Sequence, residues 1–410
     1  MPTMKLISHS IEHSETHLTK AKTGLDLFLK RQDIGFSQLP QRKKLWSDSF
    51  ELGRKIRQEF TDLVVIGIGG SSLGVRVIAE IFQTPQSTHR LHFCDNVDAS
   101  EFRRLLTALP DLSKTAWLAI SKSGNTIETM MATDLAHQIY QRQGLRFFDH
   151  FFAVSELKSS PLFDLAKANQ RPCLEIPLDV GGRFSVLSPV GMLPAAFLGL
   201  DPEQFRLGAE AALQNKDLIT QVVAQTLQSF ERQEWISLFW YYCSWMKNFG
   251  GWTQQLWAES LGKKSDLKNQ QAPRASTPVS AIGACDQHSI LQQVMEGSRD
   301  KFVIFTRVKS AEESDLILSK SLFPIHEYLQ GRGLGDLLSA EALATSQALT
   351  QVGVSNLVIE VKDLSAKTVG ELFMFWQLVV AGLGQCLEIN AFDQPGVELG
   401  KRLARQILQS

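Results

Sequence analysis

From residue 62 the chain repeats one pattern: DLVVIGIGGSSLG, then LHFCDNVDASEFRRLL, TAWLAISKSGNTIETMMATDLAHQI and HFFAVSELKSSPLFDLAKA. Each segment opens with a short β-branched or aromatic run, turns through Gly, Ser or Asp, and continues at helical spacing. Continuous apolar runs alternating with amphipathic helices predict buried parallel strands in right-handed βαβ units, hence a doubly wound α/β sheet. Loops at the carboxyl ends of such strands face a common crevice where ligands bind. Both Gly/Ser loops, 67–74 and 121–129, fall on that edge.

After Pro189 the texture changes. Helical segments are expected at Glu203–Leu213 and Leu218–Asn248, the second taking in the aromatic series WISLFWYYCSWMKNFGGW as a core helix. Strands resume at 301–308 and 356–361, with a helix around Ser339–Gln351 between them, so a second, smaller α/β unit follows. Leu372–Leu387 is too short and too interrupted by Gly and Gln to span a bilayer and reads as a buried core helix. The stretch 261–277 reads as an ordered surface loop, and 392–410 as a turn followed by a helix.

Length and composition narrow the function. At 410 residues the chain exceeds what one core usually serves. With 42 Lys+Arg against 43 Asp+Glu it has no global field for a phosphate backbone or an anionic membrane, so neither nucleic acid nor membrane is an expected partner. The five cysteines, Cys94, Cys173, Cys243, Cys285 and Cys386, form no CxxC pair and fit reduced thiols in a cytoplasmic protein. The N-terminus lacks the apolar run of a secretory signal.

The first loop, GIGGSSLG, fails two nucleotide templates: a dinucleotide fingerprint needs Gly at Ser72, and a P-loop needs Lys where Val75 stands. Its glycines let backbone approach a ligand, and Ser71 and Ser72 stand where a helix begins with unpaired amides; a plain serine-capped glycine turn needs the same residues. The second loop, SKSGNTIET, brings the Ser121, Ser123 and Thr126 hydroxyls, the Lys122 charge and helix N-terminal amides together. One cap explains one hydroxyl, whereas several convergent donors on a helix dipole suit a phosphate dianion. A phosphorylated small molecule is the inferred ligand. Four further segments carry candidate groups. In VGGRFSVLSPVG (180–191), Arg183 follows two glycines and offers a fixed guanidinium to an oxyanion. In QQLWAESLGK (254–263), Glu259 and Gln255 share a helix face, and Glu259 is either a catalytic or a merely buried, hydrogen-bonded carboxylate. In ACDQHSILQQV (284–294) stands His288, and in FDQPGVELGK (392–401) stand Gln394 and Lys401. His9, His13 and His17 recur at four-residue spacing, but with no acidic or thiol partner they read as an exposed helix face; no metal is expected.

The segments VIGIGGSSLG, ISKSGNTIET, DVGGRFSVLSPVG, QLWAESLGK, DQHS and INAFDQPGVELGK, in this order, resemble the glucose-6-phosphate isomerase (phosphoglucose isomerase) family over nearly the whole chain from about residue 45. GGRFS and FDQPGVELGK are specific to that family, while GIGGSS and SKSGNT alone indicate a phosphosugar domain. The resemblance implies two doubly wound parallel-sheet domains of the phosphosugar-isomerase (SIS) type with helical additions. They are set at 46–200 and 201–385, after an N-terminal helical segment (1–45) and before a C-terminal turn and helix (386–410) returning to the active site. It implies no cofactor, metal or nucleotide, and a homodimer in which His288 crosses to the neighbouring subunit. By motif match, Glu259 is the base that moves a proton between C2 and C1 through a cis-enediol, and Arg183 stabilises the developing charge. His288, Lys401 or both assist ring opening, and Gly70, Ser71, Ser121, Lys122, Ser123, Thr126, Gln255 and Gln394 line the sugar and phosphate site. Asn125 departs from the Thr of the more usual phosphate loop. The rivals are an isomerase that also accepts mannose 6-phosphate and a non-enzymatic phosphosugar sensor, which would have no use for Glu259, Arg183, His288 and Lys401 together.

Overall fold

The computed structural model describes residues 3–10, 14–309 and 316–409. Among them the strands are β1 Met4–His9, β2 Asp62–Ile66, β3 Arg90–Cys94, β4 Thr115–Ile120, β5 Phe151–Ser155, β6 Cys173–Glu175, β7 Ile236–Tyr242, β8 Thr277–Ile282, β9 Lys301–Val308 and β10 Ser355–Val361. They form two five-stranded sheets. The first, ordered β3-β2-β4-β5-β6, is parallel throughout. Its inner strands β2, β4 and β5 are buried along their whole length, which is why their sequences are unbroken apolar runs. Because its first strand lies between its second and third, the order reverses between β2 and β4. The loops leaving those two strands therefore flank the point where a doubly wound sheet opens into a crevice.

The second sheet, ordered β1-β10-β9-β7-β8, repeats the winding: its first parallel strand, β7, lies between β8 and β9. β1 closes it as an antiparallel edge, Met4 opposite Val361. The helix Ala366–Cys386 runs through the core that joins the two units, with Trp376, Phe373 and Phe375 fully buried. Its membrane-like hydropathy is explained by burial, since 94% of its most apolar window lies inside the fold. It meets the helix Pro202–Gln214 backbone to backbone: a Cβ on Gly208 would overlap the Lys367 carbonyl oxygen, so a glycine is required there.

Three readings of the sequence change. Residues 4–9 form a strand, not part of a helical segment; MKLISH is a short edge strand whose alternation is too weak to distinguish in sequence. The helix expected over 218–248 ends at Glu231, where Gln233 takes a positive φ of 62° and turns the chain into β7. ISLFWYY is thus a strand buried on both faces; its β-branched and aromatic content was the available signal, but an unbroken apolar run has no period to separate strand from helix. The expected histidine face does not form. His9 ends β1, His17 lies in the helix Glu15–Leu29 beside Ser14 and Glu231, and His13 lies outside the described residues.

One buried carboxylate has a consequence for stability. Glu371, on the core helix, is 2% exposed and accepts a hydrogen bond from the Thr3 hydroxyl. Burial pushes it up from 4.5 to about 7, with Lys367 opposing. In the unfolded chain the carboxyl loses its proton first, so between these values the native state holds the extra proton. Stability therefore falls as pH rises through this window and levels off above it. Between pH 5 and 8, denaturant titrations should show the wild type losing on the order of 2 kcal/mol relative to Glu371→Gln, which carries no titrating proton.

Candidate active site

The site is built around Arg183. DVGGRF makes a tight 3-10 turn over Gly182–Phe184, and Phe184 locks it by stacking on Phe36 at 4.7 Å and packing against Phe392 at 5.5 Å. Arg183 itself is 3% exposed. All five of its N–H donors find acceptors: Nε to Ser260 Oγ (2.7 Å), Nη1 to Glu259 (3.3 Å) and Gln394 Oε1 (3.0 Å), Nη2 to the carbonyls of Ala391 (2.6 Å) and Asp393 (3.1 Å). Burial pushes the guanidinium below its ordinary value and the charge of Glu259 offsets this, so the pair is a fixed cation beside a fixed carboxylate.

Glu259 belongs to the last turn of the helix Lys247–Leu261, with its side chain 27% exposed. Gln255, one turn earlier, donates to its other oxygen at 3.0 Å. Both carboxylate oxygens are thereby oriented. The remaining polar atom of Gln255, Oε1, is buried with no partner among the described residues, and a ligand hydroxyl can satisfy it. The sequence left Glu259 open between a catalytic and a structural carboxylate; the structure places it partly exposed, against a buried arginine.

The first loop closes on this pair. Gly69–Ser71 forms a short turn after β2, and a Cβ on Gly70 would overlap the Gly182 carbonyl oxygen and stand 2.7 Å from the Arg183 amide nitrogen. Gly67 lies close to the Ile120 carbonyl oxygen, 3.0 Å from its ideal Cβ, which joins the first loop to the second. In the second loop Thr126 is the N-cap of the helix Ile127–Arg142, yet its hydroxyl bonds Ser121 Oγ at 2.8 Å and makes no bond to the helix amides. Ser123 accepts from the Asn125 amide at 3.3 Å. Lys122 lies 3.7 Å from Glu156, a buried carboxylate at the end of β5 that also pairs with Lys158. The two loops, the Arg183 turn and the helix of Glu259 thus meet through direct contacts. They bring together Gly70, Ser71, Ser121, Lys122, Ser123, Thr126, Arg183, Gln255, Glu259 and Gln394.

Two predicted residues stand exposed. His288 is exposed at the end of a short turn, Cys285–His288, beyond the carboxyl end of β8, and Lys401 is exposed on the helix Glu398–Gln409. The helix of Glu259 connects β7 to β8, so it runs against the strands. Its last turn packs at the start of β8, where Trp257 donates to Ser276 at 3.1 Å. His288 follows the other end of β8, about 20 Å away at ~3.3 Å per residue. Sequence reasoning did not single out Ser260, Asp393, Lys263 or Glu156. Lys263, whose Nζ reaches the Asp393 carbonyl at 2.5 Å and carboxylate at 2.9 Å, was legible only as the last residue of QLWAESLGK.

Gly70→Ala must push the Arg183 turn away, and misplacement of that order lowers kcat/KM about 100-fold. Gly251→Ala, on the helix of Glu259 with nothing within 4 Å of its Cβ, should leave activity unchanged and raise stability by about 0.5–1 kcal/mol. Steady-state kinetics and thermal unfolding of the two variants test this contrast.

The comparisons agree with the geometry. The phosphoglucose isomerase family model matches residues 40–410. A glucose-6-phosphate isomerase of Campylobacter jejuni is 32% identical over 388 residues, 93% of this chain and 94% of that protein. Among solved structures, a hypothetical protein of Thermus thermophilus superposes with a TM-score of 0.87 at 33% identity, covering 96% of this chain and 95% of its own. A glucose-6-phosphate isomerase from Chlamydia trachomatis superposes at 0.76 with 25% identity, covering 99% and 81%. With the match running from before the first sheet to the last residue and taking in Arg183, Glu259 and the loop of Gln394, the chain belongs to the phosphoglucose isomerase family.

Proposed function

We propose that this chain catalyses the reversible isomerisation of glucose 6-phosphate and fructose 6-phosphate, a glycolytic and gluconeogenic step, by proton transfer through a cis-enediol. The observation that carries it is a partly exposed Glu259 carboxylate held by Gln255 and by a buried Arg183, next to a hydroxyl-rich loop at the switch point of the first sheet. Family membership gives the same activity.

The chemistry follows from the groups. The Ser121, Ser123 and Thr126 loop, with Lys122, binds the phosphate and holds the open-chain sugar over the base, so that binding energy is converted into orientation at C1 and C2. Glu259 takes the C2 proton as the C1 aldehyde oxygen gains negative charge; the O2 hydroxyl proton passes to O1, and Glu259 returns its proton to C1 as C2 becomes the ketone, ending in its starting state. A positioned base of this kind contributes about 10²–10⁴-fold. Arg183, its donors all engaged by the protein, acts as a fixed positive charge beside the enediolate. Its Nη1, shared between Glu259 and Gln394, is the nitrogen that meets the base. Gln255 and Gln394 take sugar hydroxyls. Gly70 and Ser71 complete the wall.

Ring opening falls to His288, Lys401 or both. Because His288 lies at the far end of β8 from its own Glu259, we assign it to the site of a second subunit in a cytoplasmic homodimer. Supporting this, large apolar side chains stand exposed on two segments outside the sheets: Leu322 (90%), Ile325 (80%) and Phe323 (64%), and Leu399 (55%) and Leu403 (47%) on the helix of Lys401. The division of the chain at 46–200 and 201–385 follows the two sheets in this reading, with β1 added to the second.

A coupled assay on fructose 6-phosphate tests the activity, and mannose 6-phosphate as a second substrate separates a broader isomerase; no turnover of either leaves only a sensor. Glu259→Gln should abolish exchange of the C2 proton with solvent while sugar-phosphate binding survives, since the amide keeps the shape without the basic oxygen. Proton exchange at the wild-type rate would move the base elsewhere. For the shared site, Glu259→Gln and His288→Ala homodimers should each be nearly inactive. Mixing them by dissociation and reassociation makes about half the dimers mixed, each with one intact site, so activity returns to roughly a quarter of wild type. Confirmed heterodimers as inactive as their parents would assign His288 to its own chain or outside the chemistry.

A further inference from the structure

Lys263 stands two residues beyond the helix that carries Glu259, and its side chain is only 7% exposed. Its ammonium donates to the Asp393 carbonyl oxygen, which also accepts from Arg183, and to the Asp393 carboxylate. Two cations therefore converge on one residue, immediately before Gln394, whose side-chain oxygen accepts from Arg183. The charged groups facing Lys263 are Arg183, from the turn after β6, Glu259, from its own helix, and Asp393, from the segment after the core helix. Burial pushes the ammonium below its ordinary value and Arg183 adds to this, while Asp393 and Glu259 pull it back up. A buried cation beside a second cation is costly unless it is paired and hydrogen-bonded.

We infer that Lys263 is a positioning residue of the isomerase site: it bolts Asp393 in place so that Gln394 and Arg183 meet Glu259. A surface lysine would bond one oxygen and keep its head in water. This one bridges the end of the base's helix to the segment that supplies three of Arg183's acceptors, Ala391, Asp393 and Gln394. It does not reach the reacting carbons, so its effect passes through those groups.

The inference rests on the isomerase reading, and kinetics on fructose 6-phosphate keep the two apart. An inactive wild type overturns both, whereas an active wild type makes the variants a test of Lys263 alone. Lys263→Met should lower kcat/KM about 10–100-fold, mainly through kcat because the phosphate loop is untouched. KM should stay within about twofold of wild type, and Lys263→Arg, which keeps the cation, should restore most of the lost kcat. Asp393→Asn, which keeps the carbonyl but removes the charge that pairs with Lys263, should lower kcat with KM likewise held, and it decides the matter if Lys263→Met does not fold. Lys263→Met kinetics superposable on wild type, or a wild-type kcat in Asp393→Asn, overturn the inference.

Discussion

A buried guanidinium with every donor used is the constraint on which the rest depends. Taking Arg183 out of water costs several kcal/mol, recovered only when all its hydrogen bonds are made. Its acceptors come from positions 76 to 211 residues away: Glu259 and Ser260 at the end of one helix, and Ala391, Asp393 and Gln394 after the core helix. None of these segments can shift without leaving a buried charge unpaired. The site is therefore as rigid as the packing between the two sheets, and the Phe36, Phe184 and Phe392 cluster that seats the turn extends that rigidity to the N-terminal residues. Phe28 joins the same cluster, stacking on Phe36 at 5.2 Å.

The charges around this centre alternate. Lys122 faces Glu156, Arg183 faces Glu259, and Lys263 faces Asp393. Each cation is held by a protein carboxylate, so none has to be ordered when an anionic sugar arrives. That suits catalysis by preorganised electrostatics, in which the groups aimed at developing charge are fixed before reaction. In the proposed reaction the hydroxyls of the second loop complement this, because neutral donors can take a phosphate without competing for these ion pairs.

Much of this was legible in sequence, for identifiable reasons. Buried parallel strands write themselves as apolar runs, so β2 to β5, β9 and β10 stand out, and the loops that follow β2 and β4 had to lie on the ligand edge. Gly70 was visible because a tight backbone approach needs glycine, and Arg183 because it follows two glycines. What stayed hidden depends on partners distant in the chain. ISLFWYY carries no period to mark it as a strand, and β1, β6 and β8 are sheet-edge strands, too short or too polar to stand out. Lys263 and Asp393 look like loop charges until the fold places them 2.9 Å apart.

The two sheets share one winding, and each sends its first strand into a helix: β2 into Leu73–Phe82, and β7, through a short turn, into Lys247–Leu261. These equivalent helices pack against each other head to tail. Glu80, near the end of the first, accepts from the Asn248 amide at the start of the second at 2.7 Å, while Gln255, toward the end of the second, lies beside Gly69 at the start of the first. The antiparallel packing puts the ligand edge of the first sheet next to the opposite edge of the second. Glu259 and the two Gly/Ser loops then meet within one chain, but whatever follows the carboxyl ends of the second sheet, His288 included, faces away from them by the length of a strand. The proposed exchange of His288 between two copies fits this geometry, since two-fold symmetry would make it mutual. The head-to-tail packing of two like helices thus accounts both for Glu259 and the Gly/Ser loops assembled within one chain and for a histidine left outside that cluster.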